Sequence, residues 1–133
     1  DDVDLPFDSR MFMGGVPEFA AFTTDHRLGF FSGAAMAVTI EGPSSKIIPP
    51  NRAFVQGAKV LTDAQDFTLR VGTQPNYQAP ISWGAGVSPY PGTNQCHFRA
   101  SGDLHRFRLE IPAGLSWTNV AGLDLDAVPE GTR

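Results

Sequence analysis

Apolar and polar residues alternate one by one along several stretches of the chain, a period of two that marks strands with one buried and one wetted face. Phe67, Leu69 and Val71 alternate with Asp66, Thr68 and Arg70. His105, Phe107, Leu109 and Ile111 share a face opposite Leu104, Arg106, Arg108 and Glu110. Met36, Val38 and Ile40 alternate with Ala37, Thr39 and Glu41, and Leu123 and Leu125 with Asp124 and Asp126. A longer strand is predicted from about Arg52 to Leu61, and a weak one over Ile81–Val87, thinned by Gly84 and Gly86. Short apolar runs at Phe19–Thr23 and Leu28–Phe31 add to the set. No window sustains apolar residues at i, i+3, i+4 and i+7, so no long helix is predicted.

Turn chemistry separates these runs: Gly42-Pro43-Ser44-Ser45, Gln74-Pro75-Asn76, the stretch Ser88–Asn94, and Pro112-Ala113-Gly114. The 14 glycines and 11 prolines among 133 residues fit this pattern and disfavour helices, where both are costly. About eight to ten short strands with tight connections predict an all-β fold, an antiparallel β-sandwich of jelly-roll character, with a partly closed barrel as the alternative. Residues 1–17 lack any period and carry four aspartates and the breaker Met13-Gly14-Gly15-Val16-Pro17. They read as an extended acidic arm or linker, and residues 18–133 as the sandwich domain. The arm's Leu5, Phe7, Met11 and Phe12 are candidates for contact with a neighbouring surface. The chain opens on aspartate, which suggests a piece of a longer protein.

Charge narrows the function classes. The formal net charge is −4, and only two lysines occur, Lys46 and Lys59. Without a basic stripe, nucleic-acid binding is not expected. No apolar run approaches the roughly 18 residues of a membrane helix, so no membrane partner is expected either. Arg99, Arg106 and Arg108 form the one local basic cluster and join the arm as candidate interface residues.

Candidate chemistry is sparse. The single cysteine, Cys96, excludes an internal disulfide. Cys96 with His26, His97 and His105 lacks metal-ligand spacing, and the adjacent Cys96 and His97 point to opposite faces of a strand. His105, beside Phe107 on an apolar face, reads as a core histidine. No nucleophile–base–acid arrangement and no phosphate-binding loop stands out, so no catalytic residue, metal or cofactor is assigned and a non-enzymatic role is expected. Asp124 and Asp126 read as a solvated face or an edge-strand guard. Trp83, Tyr90 and Trp117 form a candidate glycan-stacking set, whose plainer reading is core and loop anchoring.

Three stretches carry a family resemblance. His26-Arg27-Leu28-Gly29-Phe30-Phe31-Ser32-Gly33 with Ala35–Glu41, Arg52–Leu61, and the run from Cys96 to Arg133 are together similar to tailed-bacteriophage virion proteins. The resemblance spans roughly residues 25–133 and rests on strand and turn patterns, with the last stretch resembling a closing hairpin. It implies a C-terminal β module of a phage tail or head–tail structural protein, located in the virion. The implied partners are other virion proteins and copies of the chain itself. The alternative is a carbohydrate-binding module, of a receptor-binding tail protein that meets a host surface glycan or of a secreted enzyme.

Overall fold

A computed structural model describes residues 20–30 and 34–131, and the chain divides into two compact units, residues 1–33 and 34–133. The arm residues Leu5, Phe7, Met11 and Phe12, and the boundary expected at residues 17 and 18, lie outside the described residues. In the first unit, β1 (Ala20–Phe22) and β2 (Leu28–Phe30) form an antiparallel hairpin with Phe22 opposite Leu28 and Ala20 opposite Phe30. This hairpin belongs to the first of the two units.

Among the described residues the second unit holds seven strands: β3 (Val38–Glu41), β4 (Arg52–Thr62), β5 (Thr68–Gln74), β6 (Ser82–Trp83), β7 (Gln95–Gly102), β8 (Leu104–Ile111) and β9 (Val120–Glu130). They form two antiparallel sheets, ordered β3-β8-β5-β6 and β7-β4-β9. The described residues are all-β, with no helix, and the two sheets bury their facing sides as a β-sandwich. Each sheet ends in unpaired edge strands among the described residues, so the partly closed barrel does not apply.

The core forms where the alternating residues meet from both sheets. Ala58 and Val60 of β4 and Cys96 of β7 pack with Leu69 of β5 and Leu109 and Ile111 of β8, and Ala64 and Phe67 from the β4–β5 connection complete the cluster. Leu123 and Leu125 of β9 lie against it, half-buried. Asp124 and Asp126 between them are exposed.

Chain order explains a feature that pattern alone does not. Except for β5 to β6, every step from one strand to the next within this unit changes sheet. The expected closing hairpin is therefore corrected: β8 and β9 belong to different sheets, and β9 pairs with β4. The inner residues of β4 also change phase, from Ala53 and Val55 to Ala58 and Val60. A register shift between Val55 and Gly57 accommodates that change. Glycine suits position 57 because a Cβ there would come within 3.1 Å of the Cys96 carbonyl oxygen.

A polar clasp holds the β4–β5 connection to the chain entering β9. The Asp63 carboxylate accepts from the Thr118 amide at 2.9 Å, the Thr118 hydroxyl at 2.5 Å and the Asn119 amide at 3.1 Å. The Thr118 hydroxyl bond, then the Thr118 and Asn119 amides, hold the carboxyl at about 2, below its usual 3.8. Stability from a depressed carboxyl is present above the unfolded pKa and is lost as pH falls through the folded one. The difference in Tm between the protein and Asp63→Asn is therefore expected to be constant above about pH 5 and to vanish toward pH 2, as measured by calorimetry across that range.

Candidate functional site

The outer face of the four-stranded sheet gathers the most concentrated polar chemistry. Because His105, Phe107, Leu109 and Ile111 turn inward on β8, Arg106 and Arg108 share the outward side. Glu41, at the end of β3, lies opposite Arg108 in the ladder and bridges both arginines. Its Oε1 meets Arg106 Nη2 at 2.8 Å, and its Oε2 accepts from Arg108 Nε at 2.8 Å. Arg106 Nε also donates to the Gly42 carbonyl at 2.8 Å. One strand further, Arg70 pairs with Glu110 at 3.3 Å.

Trp83 on β6 extends this face. The Arg108 guanidinium lies 4.3 Å from the centre of its ring. The ring also covers Gly72, where a Cβ would come within 2.9 Å of the indole. Glycine at 72 is therefore what lets the indole lie close to the sheet.

Glu41 offsets two cations at once, so its loss leaves both guanidiniums without their carboxylate. Glu41→Gln is expected to cost about 1–2 kcal/mol, since the three side chains are only about one-third exposed or less. Urea titration of this variant beside Arg106→Gln and the double variant would read the coupling, which is expected to fall on raising salt.

The structure corrects the arginine cluster. Arg99 sits on β7, in the other sheet, and is exposed beside His97 on that strand's outward side. The chain crosses between sheets after Gly102, so nearness in sequence to Arg106 does not become a shared face. Arg99 instead borders a shallow depression with Val87, Gly84 and Ala85.

The three aromatic candidates are likewise not brought onto one platform. Trp83 lies on the outer face under Arg108. Trp117 is half-buried against the core, with its indole Nε1 buried and unpaired. Tyr90 is 65% exposed in the loop before β7, where its amide donates to the Gln95 carbonyl.

Cys96 is fully buried, and burial pushes its thiol up to about 11, so it stays protonated at neutral pH. His105 is also buried, and desolvation lowers its pKa against the opposing effects of the Ala100 carbonyl and Asp103. Its Nε2 lies 3.4 Å from that carbonyl, an acceptor suited to the tautomer that carries its proton on Nε2. Among the described residues, no three His, Cys, Asp or Glu side chains come together as a metal site.

A second surface escaped the sequence reading. Between the edge strands β3 and β9 the sandwich is open, leaving a groove of about 360 Å³. Ile40, Phe107, Leu109, Leu123 and Leu125 line it, with His105 at its floor. The alternation of Ile40, Leu123 and Leu125 marked them as inward-facing. That they face each other across a gap depends on which strands end the sheets, and no local pattern encodes that order.

Neither protein-family models, curated proteins nor solved structures match this chain.

Proposed function

We propose that this domain is a structural module of a bacteriophage tail or head–tail assembly, a β-sandwich that mediates contacts between virion subunits and has no catalytic role. The observation that carries the reading is the open flank of the sandwich, where an apolar groove lies beside the long edge strand β9. Unpaired edges and apolar grooves are surfaces that subunits use to join one another. The resemblance of residues 25–133 to tailed-phage virion proteins supplies the biological setting, and copies of the chain and other virion proteins are the partners it implies.

The hairpin supports the same reading. Ala20, Phe22, Leu28 and Phe30 share one of its faces by register, and Phe22, Leu28 and Phe30 are exposed. A two-stranded ribbon gains little stability unless such a face is covered.

Sedimentation velocity of the chain over a rising concentration series, together with immunodetection in purified particles, tests the proposal. Concentration-dependent association and recovery with particles support it. A chain that remains monomeric throughout and is missing from particles overturns it.

A further inference from the structure

We propose that β9 takes up an extended basic segment of a partner protein as an added strand. The inference deepens the assembly reading and rests on it, because it names the chemistry of the partner and the edge that receives it.

Three observations meet at this edge. First, β9 runs from Val120 to Glu130, is paired only on its β4 side among the described residues, and ends its sheet. Its other side therefore presents backbone donors and acceptors for a further strand. Second, the inner side chains of β9, including Leu123 and Leu125, line the apolar groove shared with β3. An added strand would extend the three-stranded sheet along this flank and place every second side chain toward the groove.

Third, the outward side of β9 carries three acidic residues beside the exposed Val128. Asp124, Asp126 and Glu130 lie on the side away from the core, and Asp124 and Asp126 have no salt-bridge partner among the described residues. On the β4 side Lys59 lies opposite Asp124 and Arg52 opposite Glu130, neither within ion-pair distance, and Asp126 lies opposite Gly57, which offers no side chain to answer it. A neighbouring strand with lysine or arginine at alternating positions would place cations directly across from these acids and apolar residues over the groove.

Charge also discriminates among occupants. Two copies of β9 paired antiparallel in registers centred on Asp124, Leu125 or Asp126 would set carboxylates against one another. The N-terminal stretch, with Asp1, Asp2, Asp4 and Asp8, has the wrong sign as well. A basic alternating segment of another chain is the occupant that satisfies backbone, groove and charge together.

The test uses the full chain and two synthetic peptides of the length of β9. One alternates lysine with valine, and its twin carries glutamate in place of lysine. A third peptide has the composition of the first with its lysines clustered. Binding is followed by fluorescence anisotropy, and the site by amide hydrogen exchange. The expected result is binding of the alternating lysine peptide alone, with new protection confined to β9. Asp124→Lys/Asp126→Lys should weaken it by about tenfold or more while leaving the thermal transition in place.

Equal binding of the clustered peptide, protection that maps elsewhere, or no binding would overturn the proposal. So would self-association of the chain through β9 in place of peptide uptake. Particle incorporation without peptide binding would reject this inference and leave the assembly reading intact.

Discussion

Phe67→Ala is expected to lower the stability of the sandwich by about 3–5 kcal/mol, the range for removing a buried aromatic ring. Phe67 is 1% exposed and stands just before β5, packed among Ala58, Val60, Leu69, Cys96, Leu109 and Ile111. These neighbours come from both sheets, so truncation opens a cavity where the layers meet. The inner ends of β4 and β8 are fixed by ladders on both sides and cannot collapse freely into the space. Domains of this size are typically stable by about 5–15 kcal/mol, so the loss is a large fraction of the total. Chemical denaturation and thermal circular dichroism should show it as a lower midpoint and a Tm reduced by more than about 10 °C. A change under about 1 kcal/mol would mean that the ring does not occupy the centre of the core.

The same residue shows what was legible in the chain. Phe67, Leu69 and Val71 announce an inward face because their spacing matches the pleat, and all three are buried. Arg106 and Arg108 were placed on a common outward face by the same rule, and Glu41 joins them there. What local periodicity cannot supply is sheet membership. Arg99 was grouped with those arginines by nearness in sequence, yet the crossing between β7 and β8 puts it in the opposite sheet. Pairings such as Arg108 with Glu41, 67 residues apart, arise from strand order, which is set by long-range packing. The phase change between Val55 and Ala58 was present in the sequence as two inner sets out of step, but a bulge was needed to interpret it. The open groove required knowing that β3 and β9 are both edges.

Trp117→Ala is expected to cost about 2–4 kcal/mol, in the lower part of the range for aromatic truncation because the ring is only half-buried. Trp117 stands between β8 and β9 and packs against the core cluster, next to Thr118 and Asn119, which bind Asp63. Losing the ring should loosen the entry into β9 and so the edge that the assembly proposal depends on. Trp117→Phe should be far milder, because it keeps much of the apolar area and removes an indole N–H that is buried without a partner. Trp83→Ala provides the contrast. It removes a cation–π contact with Arg108 near the surface, worth about 0.5–1 kcal/mol. Urea midpoints for the three variants, measured beside binding to a panel of polysaccharides, separate anchoring from recognition. Large destabilisation by Trp117→Ala with rescue by phenylalanine, and no polysaccharide bound by the parent, supports the structural role. Unchanged folding with loss of polysaccharide binding in both alanine variants would instead make these rings a recognition surface and favour the glycan-binding reading, because a ring that only fills space cannot be lost without a cost to the fold.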